Sequence, residues 1–521
     1  MVATPILGSA YVARSVNAAD SRMVNLFPEV VPEGGKQPAF LNRAPGLRRL
    51  ATIGTGPIRG LWSPQITGSD GYVVSGQGLY KIDTSYNSTF LGTINGTGPV
   101  SIADNGTQIF IASNPDGYIY NMSTGAFAPI GDPDFPGAST VGYLDGYFVF
   151  NEPNSQKVWV TSLLDGTSIA PLDFASAEGA PDQLISVNVD HREAWLFGTG
   201  TTEVWYNAGT ADFPLQRIQG AFNELGCAAV YSVAKLDNTL FWLGADARGR
   251  GIVYQATGYR GERISTHAVE FAIQSYSTIS DAVAYSYQQE GHKFYVLTFP
   301  TANATWVYDT ITGAWHERAG LTNGVFTRHR SNCQMNFNNQ TIVGDYEDGR
   351  IYAFDLDVYA DDDQPQKWLR SWRALPTGQN NLRRTAHHTL QLDCESGFGY
   401  VDPALALQPS YLNPAAVLLD GAEGMALDFI SNSVSVATAA TPEYIAPVPQ
   451  AMLRWSDDGG HTWSREHWTS LGAIGRYGKR VFWRRLGMTL KLRDRVYEVS
   501  GTDPTKIVIM GAELILDGTS S

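Results

Sequence analysis

The chain has 521 residues, 43 % hydrophobic, 12 % aromatic and only 17 % charged, with 53 glycines. That is too long for one core and too apolar for a disordered or fibrous protein, so several turn-rich β domains are expected. The net charge of −14 argues against tight nucleic-acid binding, because neutralising phosphates takes clustered Lys and Arg.

No stretch is apolar and long enough for a membrane span, and MVATPILGSAYVARSVNAAD lacks a charged start followed by a sustained apolar core, so neither a membrane anchor nor an export signal is read. Three scattered cysteines, Cys227, Cys333 and Cys394, point to reduced thiols. Six Asn-x-Ser/Thr sequences (Asn87, Asn95, Asn105, Asn121, Asn303, Asn339) are read as turn chemistry.

Residues 1–55 show no repeat and carry prolines that break regular pairing. They are read as an extended N-terminal arm that packs on the next domain or lends it a strand.

From residue 56 to about 360 a hairpin recurs. Gly71 to Thr84 is its first copy, two apolar runs joined by a Gly-rich turn, and six later copies follow. The aromatic of the second strand falls at Tyr80, Tyr120, Trp159, Tyr206, Tyr254, Tyr308 and Tyr352, at spacings of 40, 39, 47, 48, 54 and 44 residues. That period fits one four-stranded blade, and seven copies predict a seven-bladed β-propeller, with a long sandwich or β-helix as the runner-up. The acidic run Asp355 to Asp363 is expected to be a solvated linker, and it lacks the Gly and Glu spacing of a calcium loop.

Residues 361–521 are expected to form a β-sandwich, because strands such as HHTLQLDC and RVFWRRLG alternate without the propeller period. An insertion at about 400–450, Tyr400 to Gln450, is nearly uncharged and is expected to become ordered only against a partner.

Ser456-Asp457-Asp458-Gly459-Gly460-His461-Thr462-Trp463 matches the Asp-box turn, whose side chains bond the turn backbone, a stabilising and not a catalytic role. His387, His388 and Cys394 lie close in sequence, but alternation places the two histidines on opposite faces, against a metal site. Enzyme templates for phosphate loops, nucleophile elbows and zinc sites are missing, so no catalytic, cofactor or metal residue is assigned. The alternative kept open is a sialidase-like or other carbohydrate-active propeller, for which Arg59, Arg192 and Arg217 are available but ungrouped.

Charge is concentrated near the C-terminus. Between Arg454 and Lys506 there are 11 Lys/Arg and 6 Asp/Glu, net +5, which leaves −14 − 5 = −19 for the rest. Alternation puts Val481, Trp483 and Arg485 on one strand face and Arg480, Phe482 and Arg484 on the other. Arg480, Arg484, Arg485, Lys491 and Arg493 are therefore the candidate interface residues.

Asn17-Ala18-Ala19-Asp20, Val24-Asn25-Leu26-Phe27-Pro28-Glu29 and Ala44-Pro45-Gly46-Leu47, the hairpin series, and Ser456-Asp457-Asp458-Gly459 followed by Lys479-Arg480-Val481-Phe482-Trp483-Arg484-Arg485-Leu486-Gly487 resemble the packaged-DNA stabilisation protein, or tail hub or nozzle, of short-tailed bacteriophages. The resemblance implies a non-enzymatic virion protein that forms a ring, commonly a hexamer, below the portal and its adaptor. Such a ring continues the DNA channel without reading sequence, helps retain the genome, carries tail fibres or spikes, and assembles in the host cytoplasm. It also makes Tyr400 to Gln450 an insertion relative to the family.

Overall fold

The computed structural model describes residues 2–14, 20–31, 35–64, 70–177, 179–210, 213–246, 249–376, 384–399, 448–489 and 495–518. These residues are nearly all β, with His267–Gln274 the one helix among them. The stretch 400–447 and residues Lys491 and Arg493 lie outside the described set.

The hairpins build a propeller. Ile58–Trp62, Gly71–Ser75, Gly78–Ile82 and Ser88–Thr93 form a four-stranded antiparallel sheet, and the same order recurs over 101–129, 141–176, 184–223, 226–263 and 283–317. A seventh unit consists of Ser331–Phe337, Gln340–Asp345 and Arg350–Asp355, whose outer strand, Gly46–Thr52, comes from the start of the chain. The first strand of each unit lies beside the next unit, and Ser331–Phe337 lies beside Ile58–Trp62, so the ring is closed. The tight turn of the first hairpin depends on Gly76 at φ +55°, where a Cβ would meet the Gly56 carbonyl oxygen at 2.8 Å.

Apolar seams between units hold the ring together. Tyr72, Val74, Ile109, Ile111 and Tyr120 fill the first seam, and Phe110, Phe148, Phe150 and Trp159 the second. Burying each of these side chains contributes about 2 to 3 kcal/mol, which is why an aromatic recurs on the third strand. Tyr120, Trp159, Tyr254 and Tyr352 are buried as that argument requires. Tyr206 is 41 % exposed, and its neighbour Trp205, 8 % exposed, packs inside instead. A bulge between Glu203 and Trp205 shifts the pairing there, and a slip of one residue flips every side chain to the other face.

The second domain is a sandwich of two sheets. One runs Val481–Met488, Thr385–Cys394, Val508–Gly518, Ala39–Arg43, Leu26–Val30, with Val2–Ala3 paired to Val508–Gly518. The other runs Met23–Val24, Trp368–Arg373, Val496–Gly501, Gln450–Ser456, His467–Ser470. Their shared core contains Trp368, Trp372, Trp483, Leu390, Leu453 and Ile509.

Residues 1–55, expected as an arm, thus supply strands to both domains. Met23 to Phe27 is buried at every position, a pattern that shows no alternation because the segment is clamped between two cores. Val24 pairs with Glu317 of the sixth propeller unit on one side and with Leu369 of the sandwich on the other, so one nine-stranded sheet runs through both domains.

Asn25 is the rivet of this junction. It is fully buried at φ +52°, a conformation that Asn tolerates. Its backbone N–H donates to the Glu317 carbonyl at 2.9 Å, and its Nδ2 donates to the carbonyls of Ala319 and Lys367, both at 2.8 Å. Its Oδ1 accepts from the Ala319 N–H at 3.0 Å. Beside it, Arg22 makes a bidentate pair with Glu317 at 2.9 and 2.7 Å. Arg43 is buried as well, donating to the carbonyls of Asp503, Thr505 and Tyr359 at 2.7 to 2.9 Å.

The acidic run after the seventh unit is not a solvated linker. Asp355 pairs with Arg48, and Asp362 accepts from Arg49 at 3.0 and 2.9 Å and from Arg350 at 2.9 Å. Asp361 is buried, its carboxyl pushed up to about 6 by burial, and it accepts from Gln366 at 3.2 Å. Repulsion within the run is answered by arginines distant in sequence, which charge patterning along the chain does not reveal.

Two expectations follow from this junction. Asn25→Ala strands the buried N–H and carbonyl of Ala319, each worth about 1 to 3 kcal/mol, and the partly buried Lys367 carbonyl, so it should cost on the order of 3 kcal/mol and lower the melting temperature. An unchanged melting profile would show that the domains are not joined through Asn25. The second concerns His316, fully buried with neither ring nitrogen bonded, between Phe27 and Phe294. Burial, reinforced by Arg318, depresses it to about 3 from 6.5. A base depressed on folding contributes stability that is complete above pH 6.5 and is lost as pH falls from 6.5 toward 3. By pH 5 the loss through this group is about 2 kcal/mol. His316→Phe should therefore show a smaller fall in melting temperature between pH 7 and pH 5 than the wild type, and parallel curves would refute the assignment.

Candidate assembly interface

The edge strand Val481–Met488 carries the candidate residues. Val481, Trp483 and Leu486 face the core while Arg484 is exposed, its guanidinium 4.4 Å above the Phe482 ring. Arg485 does not share the Trp483 face as alternation predicts. It takes φ +59°, and the pairing with Thr385–Cys394 shifts between His387 and Thr389. The bulge turns Arg485 out to solvent and brings Leu486 in, sparing the core an unpaired cation. The spacing of Trp483 to Leu486, odd for a strand, was the available signal.

Arg480 is exposed at the end of the turn before this strand. The turn is fixed from beneath: the Ser396 hydroxyl lies 3.1 Å from the carbonyl oxygens of Tyr477 and Lys479, and Gly472 and Gly475 take φ +97° and +80°. Tyr477 and Ile474 stand 68 % and 67 % exposed on it. Among the described residues, Arg476, Lys479, Arg480, Arg484 and Arg485 have no carboxylate within ion-pair distance. The structure therefore groups Arg480, Arg484 and Arg485 on one surface, while Lys491 and Arg493 lie outside the described residues.

Arg495 has a different role. It is buried, donates to both oxygens of Asp457 at 2.6 and 2.8 Å, and donates to the Leu486 carbonyl at 2.7 Å. Asp457 belongs to the Asp-box turn, which sequence could place but not link to Arg495. In that turn Ser456 and Thr462 donate to Asp458, holding its carboxyl well below the usual carboxylate range, and the Gly460 N–H donates to Ser456 at 2.8 Å. Arg454 covers Trp463 at 4.7 Å.

His387 is buried and bonded to Thr385 and Tyr497 at 3.0 and 2.7 Å, and burial depresses it to about 3. His388 points out to Asp517 at 2.9 Å. No group of three or more His, Cys, Asp or Glu is placed to hold a metal among the described residues. Each arginine of the carbohydrate-active alternative has its own local partner. Arg59 is buried against the carbonyls of Gly98 and Gly76, Arg192 pairs with Asp145, and Arg217 lies 3.6 Å from Glu203.

A structure of streptogramin B lyase is similar at 11 % identity and TM-score 0.40, over 63 % of this chain and 98 % of that one. The N-terminal domain of Nup159 is similar at 10 % identity and TM-score 0.38, over 62 % and 97 %. Likenesses this distant carry no argument about activity. No curated protein matches by sequence. A family model described as "Bacteriophage P22 Gp10, beta-propeller" matches residues 2–359, and one described as "Bacteriophage P22 Gp10, beta-sandwich" matches 428–516. The second match begins inside the Tyr400 to Gln450 stretch, which leaves residues 360–427 matched by neither. With the propeller match alone covering well over half of its length, the chain belongs to the bacteriophage P22 Gp10 family of phage DNA-stabilisation and tail hub proteins.

Proposed function

We propose that this chain is a structural subunit of the phage tail hub or nozzle, with each of its seven sheet units serving as one propeller blade. Six copies form a ring below the portal and its adaptor, assembled in the host cytoplasm. The ring continues the DNA channel, helps retain the packaged genome and carries fibres or spikes. The observation that carries this reading is the pair of family matches, propeller then sandwich, along one chain.

Charge supports it. Outside Arg454 to Lys506 the net charge is −19, and an acidic wall lets a phosphate backbone slide rather than bind. The cations are left for protein contacts, and the proposed docking face is the one that carries Arg480, Arg484 and Arg485, extended by Lys491 and Arg493 in sequence. The chain acts without catalysis or cofactor in this reading.

The test is complementation of a phage that lacks this chain. Particles without it should package DNA and then lose it, and the added chain should restore retention. Glycan hydrolysis by the purified chain would instead favour the carbohydrate-active alternative. Reversing Arg484 and Arg485 to Glu should weaken incorporation into tails about tenfold at low salt. The deficit should shrink above a few hundred millimolar salt, as screening shortens. Both side chains are exposed, so stability should stay within about 0.5 kcal/mol of wild type. Incorporation equal to wild type at every salt concentration would remove this strand from the interface.

A further inference from the structure

A cleft of about 410 Å³ opens between the two domains. Phe40, Val508 and Met510 give it apolar walls, and Glu29, Glu290 and Asp357 line it with carboxylates. Among the described residues none of these three carboxylates has a cation within ion-pair distance, whereas Glu395, also at the cleft, is paired with Lys506 at 2.9 Å. The guanidinium of Arg43, which reaches the same cleft, is occupied by backbone carbonyls. The cleft thus combines an apolar pocket with unneutralised negative charge, a combination that fits a basic segment with a bulky side chain at its tip.

This chain displays such a segment. Between Ile474 and Arg485 stand five cations and no carboxylate, with Tyr477 and Ile474 largely exposed. The segment does not enter its own cleft. Ser396 holds the Tyr477 and Lys479 carbonyls, the Tyr477 ring stands edge-on to Phe398 at 5.9 Å, and Gly397 packs so closely under Arg476 that a Cβ would lie 2.5 Å from its carbonyl carbon.

We infer that the interdomain cleft receives the Ile474 to Arg485 segment of a second copy of this chain, with Tyr477 in the pocket and the arginines against Glu29, Glu290 and Asp357. Glu29 accepts only the neutral amide of Asn42, at 2.5 Å, so charge complementarity between two surfaces whose charges lack an ion-pair partner among the described residues selects this occupant. One copy's segment in the next copy's cleft is a head-to-tail contact, the kind that closes into a ring when the rotation per step permits. The inference rests on the tail-hub reading for its setting, and it names which surfaces meet.

The experiment is a charge swap on the full-length chain. One variant carries Glu290→Lys and Asp357→Lys, and the other carries Arg476→Glu and Arg480→Glu. All four sites are exposed, and melting curves confirm folding. At low salt, sedimentation should show wild-type self-association and a loss of about tenfold or more for either variant alone. Mixing the two variants should restore association, because the reversed cleft of one now fits the reversed segment of the other. A wild-type chain that stays monomeric, variants that associate like wild type, or a mixture that fails to recover would each overturn the inference. Complementation by the same variants separates this from the broader reading. If the cleft variant enters tails normally, the cleft assignment falls while the tail assignment stands. If it is excluded from tails yet self-associates like wild type, the cleft serves a different tail protein and the second-copy assignment falls.

Discussion

The structure depends on one buried asparagine. Asn25 bonds the propeller backbone at Glu317 and Ala319 and the sandwich backbone at Lys367, so a single fully buried residue satisfies polar groups from both domains. Buried amides left unbonded are costly, and no other side chain of this size offers both a donor pair and an acceptor in that geometry. The two neighbouring strands follow from it: Met23–Val24 is held between Glu317 and Leu369, and Leu26–Val30 is directed into the other sandwich sheet. Phe27 then reaches the sixth propeller unit, where it packs against His292, Phe294 and His316.

Ring closure obeys the same logic. A propeller whose last unit takes its outer strand from the start of the chain is latched by hydrogen bonds between Gly46–Thr52 and Arg350–Asp355 rather than by side-chain packing alone. The latch is reinforced by arginines on both strands: Arg48 pairs with Asp355, while Arg49 and Arg350 converge on Asp362. Three partly exposed pairs contribute little singly, and the value of the latter two lies in sharing Asp362. The result is a rigid frame on which the sandwich presents its basic edge.

Much of this was legible in the sequence, and the rest fails for identifiable reasons. The hairpins and their aromatic period are local features, and every repeated aromatic lies on the third strand of its unit. The N-terminal strands were not legible as strands, because Met23 to Phe27 is buried on both sides and so carries no alternation to read. Asn25 was visible only as part of a shared motif, without its physical role. At the candidate interface, strict alternation placed Arg480 and Arg484 outward, and they are exposed, but it turned Arg485 inward because one bulge is invisible to a period of two. The Asp457 pair with Arg495 spans 38 residues and has no local signature.

The interleaving of the chain ends has a consequence for synthesis. Ala39–Arg43 and Val2–Ala3 pair with Val508–Gly518, so strands made first wait for the strand made last. At translation rates of about 5 to 20 residues per second, roughly 470 residues separate Asn42 from its partner, a delay of about 25 to 100 seconds. The propeller latch needs only residues 46–52 and 350–355 and can close within that interval, whereas Leu26 and Leu41, which belong to the sandwich core, remain uncovered until the last strand is made. Chaperone demand should therefore peak before release, and a ribosome stalled late in the message would hold a chain whose propeller strands are all made while its sandwich still lacks its last strand.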